Sequence, residues 1–429
     1  GEADRPAETA IGGGMSGMLR GFVRPCLAGL VAAGLAGCAG DIRGVLLPVA
    51  TAAPDASRVT MLVATTRAPD PDDGLLFSGE RGRPSFAEIT VSVPSEARRK
   101  VGEVQWPKAL PGNPETDFVT LKVEKLDQKG VISRFHNAVQ KVPKRRVMVF
   151  IHGFNNRFED AVYRFAQIVH DSKAQVVPIL FTWPSRGSVF AYGYDRESGN
   201  YSRRALENLF QALARDPAVG EVSVLAHSMG NWVTLEALRE MSIRNGTISP
   251  KIANVMLAAP DVDVDVFRSQ VADMEGRRPR FTLFVSQDDR ALAVSRRVWG
   301  STARLGAIDP DTEPYRTQLE KAGITVLNLT SLRSGDRLNH GKFAESPEVV
   351  KLIGSRLIEG QPITDTRIGL GEKVLQVTAG TAAAVGSVAG LAISAPVAVV
   401  DPETRRNFAD KTEAVGQALR DAGTAVTTD

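Results

Sequence analysis

Short apolar runs recur along this chain, each separated from the next by about the length of one helix, and that alternation limits the fold more than any other feature. Val147-Met-Val-Phe-Ile151, Val176-Val-Pro-Ile-Leu-Phe181, Val222-Ser-Val-Leu-Ala226, Ala253-Asn-Val-Met-Leu-Ala-Ala259, Phe281-Thr-Leu-Phe-Val-Ser286 and Ile324-Thr-Val-Leu-Asn-Leu329 carry no sustained polar face. Strands of that kind are buried on both sides. Between them, Glu159–Asp171, Tyr201–Arg215 and Asn231–Met241 read as helices, with Leu206, Leu209, Phe210 and Leu213 on one face of the second. Another helix is expected over Pro347–Leu357. Buried strands alternating with amphipathic helices predict an α/β fold, a mostly parallel sheet with helices on both faces. Upstream, Val59–Ala64 and Glu88–Val93 read as strands, joined by a Gly/Pro/Asp-rich loop over Pro69–Pro84.

The third run ends abruptly on His227-Ser228-Met229-Gly230. A buried strand breaking into a tight turn that carries one serine, followed at once by a helix, is the layout G-x-S-x-G of a nucleophile elbow. Ala226 stands where the first glycine is usual, and alanine is small enough for the close passage of strand and helix. An elbow serine needs a histidine to take its proton and a carboxylate to fix that histidine's tautomer. With the chain order serine, acid, histidine, only His340 of the five histidines lies downstream. For the acid, Asp289 closes the Phe281–Ser286 strand and is the first choice, with Asp288 beside it and Asp261 after the preceding strand in reserve. An oxyanion hole needs two backbone N–H groups, here expected from Met229 and from Phe154 in His152-Gly153-Phe154-Asn155-Asn156. Trp183, Tyr192 and Tyr194, in a stretch rich in Ser, Gly and aromatics, are expected to border the substrate pocket.

Hydrophobic and charged fractions of 43% and 24% are those of a soluble globular chain, and 429 residues leave ample material for a core. A net charge of +3 offers no case for nucleic-acid binding. No H-x-x-x-H, cysteine cluster or phosphate-cradling glycine loop is present, and Asp261-Val-Asp-Val-Asp265 lacks the glycine and distal glutamate of a calcium loop. No metal and no cofactor is therefore implied.

The two cysteines, Cys26 and Cys38, both lie near the N-terminus. Arg20 and Arg24, an apolar stretch to Leu35 and the small residues after it have the layout of a secretory signal. Its end, Leu35-Ala-Gly-Cys38, resembles the bacterial lipobox, which implies lipidation of Cys38 as the mature N-terminus. Ala39 in the next position implies, by the same resemblance, an outer-membrane lipoprotein facing the periplasm. Residues 1–14 precede a better start at Met15 and read as a leader outside the fold. Residues 15–37 are then the signal, 38–58 an Ala/Pro/Thr-rich tether, 59–360 the folded domain and 361–429 a C-terminal extension. Within the extension, Val374–Val400 is uncharged and Ala/Gly-rich. It reads as a helical hairpin that packs on the domain or on another copy, with membrane association as the alternative. Oligomeric state is not legible.

From about Val59 to Leu357 the chain resembles an alpha/beta-hydrolase, and specifically the bacterial family labelled domain of unknown function nine hundred. The carriers are Ala64-Thr-Thr-Arg67, Val91-Ser-Val-Pro94, His152-Gly-Phe-Asn155, Phe181-Thr-Trp-Pro-Ser185, His227-Ser-Met-Gly230, Ala259-Pro-Asp261 and Asp289-Arg-Ala-Leu292. The resemblance implies an esterase-like or lipase-like enzyme of largely undefined substrate. Together with the residues it gives the expectation of a serine hydrolase acting on a small-molecule or lipid ester, with Ser228, His340 and Asp289 as its triad. An amide or thioester hydrolase, and a non-catalytic envelope lipoprotein on the same fold, are the alternatives. The Asp261–Arg280 connection is too short for a large lid domain.

Overall fold

The computed structural model describes residues 42–298, 302–332 and 336–354. Cys38 and Val374–Val400 lie outside the described residues. One sheet carries nine described strands: β1 (Ser57–Pro69), β2 (Phe77–Val93), β3 (Val119–Leu126), β4 (Arg146–Ile151), β5 (Val177–Thr182), β6 (Glu221–His227), β7 (Ile252–Ala258), β8 (Arg280–Val285) and β9 (Thr325–Asn328). Their spatial order is β3-β2-β1-β5-β4-β6-β7-β8-β9. From β1 to β9 every neighbouring pair is parallel, and β2 and β3 extend the other edge antiparallel. The mostly parallel sheet expected from the apolar runs is present.

The helices are α1 (Gln128–Val139), α2 (Phe158–Ser172), α3 (Tyr192–Arg215), α4 (Gly230–Asn245), α5 (Val264–Ala272), α6 (Arg290–Val298), α7 (Tyr315–Lys321), α8 (Lys342–Glu345) and α9 (Pro347–Leu352). Both sheet faces are covered, so the strands have no polar side. In β4, Val147, Val149 and Ile151 join a core with Phe210 of α3 and Val233 of α4. Met148 and Phe150 point the other way, toward Phe158 and Phe165 of α2 and Val349 of α9. Two-residue periodicity with two buried faces explains why β4 is buried along its whole length.

Three sequence expectations are corrected. Most of the expected loop over Pro69–Pro84 is strand: β2 begins at Phe77, paired with Pro69, and register shifts on either side of Arg67 absorb the Gly/Pro content. Residues 42–49, assigned to a tether, pack on the domain. Val45 and Leu46 are buried, and the Val45 carbonyl accepts from Tyr163 Oη at 2.8 Å and Thr120 Oγ1 at 3.0 Å. Helix α3 begins at Tyr192, nine residues ahead of the expected Tyr201. The extra turns bury Asp195, Ser198 and Gly199, polar and small residues whose composition is that of a loop.

Candidate active site

At the C-terminal end of β6 the chain turns through Ser228, whose φ of +52° lies in the left-handed region that non-glycine residues rarely occupy. That strain is held by close packing. The Ser228 amide donates to Ala258 O at 3.0 Å, and Asn231 Nδ2 donates to both Ser228 O and Ala258 O at 2.9 Å. A Cβ at Gly230 would stand 2.3 Å from His152 O, and one at Gly153 would stand 2.7 Å from Ser228 Cβ. Both positions need glycine because β4 and its loop pass directly against the elbow. Ala226, by contrast, lies fully buried in the sheet between Ile151 and Leu257. Strand register accommodates its methyl.

His340 sits on a loop after β9 and reaches the elbow. Its Nδ1 donates to Asp289 Oδ2 at 2.6 Å. Asp289 is 1% exposed, and its other oxygen accepts from the Leu292 amide at 2.9 Å in the first turn of α6. Burial favours a neutral imidazole, but the charge and hydrogen bond of Asp289, with Asp261 and Asp336 behind it, outweigh burial and raise the His340 pKa above 6.5. His227 precedes the elbow serine. Its Nε2 donates to His340 O at 3.2 Å, with the two ring centroids 4.7 Å apart. Burial, reinforced by the neighbouring His340, keeps His227 neutral. Asp336 fastens the loop by accepting from the His340 amide at 2.7 Å and the Gly341 amide at 2.6 Å.

The two reserve acids have other partners. Asp288 faces Lys342, whose Nζ lies 2.7 and 2.9 Å from its oxygens, and also accepts from Ser286 Oγ and Asn339 Nδ2. It therefore holds the His340 loop from outside. Asp261 is nearer the serine, since its amide donates to Ser228 O at 3.3 Å. Its carboxylate accepts from Tyr192 Oη at 2.8 Å and Ser295 Oγ at 2.7 Å, with Arg304 Nε at 3.5 Å.

Met229 follows the serine in the chain and Phe154 follows Gly153, which packs on Ser228; among the described residues neither backbone amide has an acceptor. The three aromatic pocket candidates separate. Tyr192 packs on Phe154 with centroids 4.9 Å apart. Tyr194 lies in an exposed cluster, bonded to Glu80 and stacked under Arg186. Trp183 is corrected: it is fully buried, stacked on His152 and donating from Nε1 to His152 O at 3.0 Å, so it has no face toward a substrate.

Behind the 152–156 loop lies a group of buried polar residues. Arg67 is fully buried, and each of its five N–H groups has an acceptor: Nε on Thr182 Oγ1 at 2.7 Å, Nη1 on Ser78 O and Ser185 O, and Nη2 on Asn156 O and His152 Nε2. Burial lowers its pKa to about 10, opposed by Asp195 and other carboxylates. His152 donates from Nδ1 to Gly153 O at 2.8 Å, and burial together with Arg67 pushes its pKa down to about 3. A histidine so placed is a neutral packing group. Asp195 is also fully buried, and its desolvation raises its pKa. Among the described residues, no cluster of His, Cys, Asp and Glu has the spacing to hold a metal, and no helix is long and apolar enough to cross a membrane.

A doubly covered, mostly parallel sheet with a strained serine at a strand end and a downstream acid–histidine pair defines a hydrolase of the alpha/beta class. The chain belongs to the family described as alpha/beta hydrolase of unknown function (DUF900), whose model matches residues 128–356. Strands β1 to β3, with Arg67, lie ahead of that match. No curated protein matches the chain. Among solved structures it is similar to a predicted CIB-like hydrolase from Thermoplasma acidophilum, at 14% identity and a TM-score of 0.28, over 50% of this chain and 87% of that one.

Proposed function

We propose that the protein is a serine hydrolase that cleaves carboxylic esters through Ser228, His340 and Asp289. The observation that carries this reading is the 2.6 Å bond from His340 Nδ1 to buried Asp289, with the His340 ring against His227, the residue before a serine held at positive φ. That bond places the ring proton on Nδ1 and leaves Nε2 as the base. Ser228 Oγ attacks the ester carbonyl as His340 Nε2 takes its proton. The Phe154 and Met229 amides receive the developing oxyanion, and His340 then protonates the departing alcohol. Water deacylates the enzyme by the same route. Support for the oxyanion assignment comes from the two N–H groups having no acceptor among the described residues, since donors already spent elsewhere give no such stabilisation.

The test is covalent. A fluorophosphonate should label the protein once, at Ser228, and Ser228→Ala should abolish the label; an unlabelled wild type, or label that survives the substitution, defeats the enzyme reading. In the same proposal the enzyme is an envelope lipoprotein anchored through Cys38, supported by the Leu35-Ala-Gly-Cys38 sequence. Cys38→Ser should then release it from membranes, and retention of that variant would count against the anchor.

A further inference from the structure

We infer that Arg67 and Asp195 are positioning residues that aim the Phe154 amide at the oxyanion by bracing the 153–156 loop from behind. The inference rests on the serine-hydrolase reading of the site. Neither residue touches Ser228, His340 or Asp289 through any described hydrogen bond, so the triad does not explain why two charged side chains are buried completely. Burying charge is unfavourable unless every polar contact is satisfied, and here three of those contacts, to His152 Nε2, Asn156 O and the Asn155 amide, fall on one loop.

The loop is tied at each residue after Phe154. The Asn155 amide donates to Asp195 Oδ2 at 3.3 Å, and Asn155 itself is held at φ +57°. The Asn156 amide donates to Ser185 Oγ at 3.1 Å, and Ser185 Oγ in turn donates to Asp195 Oδ2 at 2.5 Å. Asn156 O accepts from Arg67 Nη2 at 2.8 Å, while Asn156 Nδ2 folds back onto Phe154 O at 2.9 Å. On the near side, His152 donates to Gly153 O and accepts from the Trp183 amide and Arg67. The N–H of Phe154 has no acceptor among the described residues, and Asn155 next to it takes the left-handed conformation. The brace draws Thr65, Arg67, Thr182, Trp183 and Ser185 from two adjacent parallel strands and their ends, β1 and β5. These are the residues of the Ala64–Arg67 and Phe181–Ser185 motifs, which the triad chemistry leaves unused.

Donor placement to within a fraction of an ångström decides how much an oxyanion hole contributes, and a loose loop loses that contribution without losing substrate contacts. The experiment uses the full-length chain, p-nitrophenyl butyrate as substrate, fluorophosphonate end-point labelling to count competent Ser228, and a trifluoromethyl ketone as oxyanion-forming inhibitor. In Arg67→Lys and Asp195→Asn, kcat per labelled site should fall about 10²-fold, with KM within ~3-fold of wild type. The inhibition constant of the ketone should rise by the same factor as the loss in kcat/KM, because the adduct uses the same two amides. Ser185→Ala removes one neutral link and serves if the charged variants do not fold; about a 10-fold loss per labelled site is expected, within the ~10²-fold limit set by losing the donor outright. If kcat per labelled site is unchanged in the variants that fold, and only the labelled fraction or the melting temperature drops, the network is structural and the inference is overturned. A wild type that is not labelled at Ser228 overturns the hydrolase reading and this inference with it. Labelling that succeeds with unaltered variant turnover overturns this inference alone.

Discussion

Exchanging each of three neighbouring aspartates for asparagine tests Asp289 as the proposed catalytic acid against its neighbours. Asp289→Asn keeps size and burial but removes the charge that stabilises the His340 imidazolium and lets the ring adopt the wrong tautomer. Because Asp289 is 1% exposed and bonded to Nδ1 at 2.6 Å, no solvent ion replaces it. A loss near 10⁴-fold in kcat is expected, about 5.5 kcal/mol of transition-state stabilisation. Asp261 acts on His340 only through its field, and its carboxylate is already engaged by Tyr192, Ser295 and Arg304. Asp261→Asn should therefore reduce turnover by less than about 10-fold, which is the effect of one pKa unit. Asp288→Asn breaks an ion pair with buried Lys342 on the far side of the loop. Asp288 is itself 41% exposed, so solvent screens the pair and the effect is on stability, about 1–2 kcal/mol.

The assay is kcat/KM on a p-nitrophenyl ester per fluorophosphonate-labelled site, measured across the neutral pH range alongside thermal unfolding. Two results would refute the reasoning. One is Asp261→Asn losing as much turnover as Asp289→Asn. The other is Asp289→Asn retaining turnover within tenfold of wild type.

Three further outcomes follow from the same geometry. The acidic limb of the kcat/KM profile should inflect above 6.5, because His340 must be neutral to act and its pKa is raised; an inflection below 6.5 contradicts the Asp289 pairing. Gly153→Ala sets a methyl 2.7 Å from Ser228 Cβ, so the labelled fraction or turnover should drop by more than about 10²-fold, while a folded and fully active variant would show that the elbow has room to move. Asp171 is buried with Arg99. Burial alone would raise its pKa, but His170, Arg99, the Gly102 amide and Gln167 outweigh it and hold the pKa well below the usual carboxylate range. A depressed folded pKa means that its stabilisation is in place above 3.8 and is lost as pH falls below that value. Melting temperature should therefore decline more steeply with acidification in wild type than in Asp171→Asn, and parallel slopes would refute the linkage.

The sheet was legible because its strands are buried on both faces. Val147–Ile151 and Val222–Ala226 have no polar side to mask them, and each resolves as a strand within one residue of its expected start. Elements on the exposed edge were not legible. β3 reads Val-Thr-Leu-Lys-Val-Glu-Lys-Leu, with charges on both faces: Lys122 and Glu124 pair on one and Lys125 falls on the other. Chain order and strand ends restrict the candidate serine, histidine and acid to one or two residues each, and the fold brings His340 and Asp289 into contact. Asp288 and Asp289 differ by one position, and only the fold shows that one caps α6 toward His340 while the other turns to Lys342.

What was least legible is what holds the site in shape. Arg67 follows a run of strand residues, and Asp195 stands among tyrosines and glycines; by composition each belongs on a solvated surface. Their partners are separated by up to 118 residues in the chain and are largely backbone carbonyls and amides, which leave no mark on residue type. The signal that was available is indirect: an arginine near the end of a strand whose centre, Met61–Ala64, is apolar and buried has little water to face and must find acceptors inside. Arg67 finds five, and two of them, Asn156 O and His152 Nε2, belong to the loop that presents Phe154. Five filled donors in a dry interior fix a guanidinium more rigidly than a surface pair would, and the oxyanion donor proposed on that loop would inherit the rigidity. Charge buried far from the reacting atoms can thus determine how accurately an uncharged amide meets them.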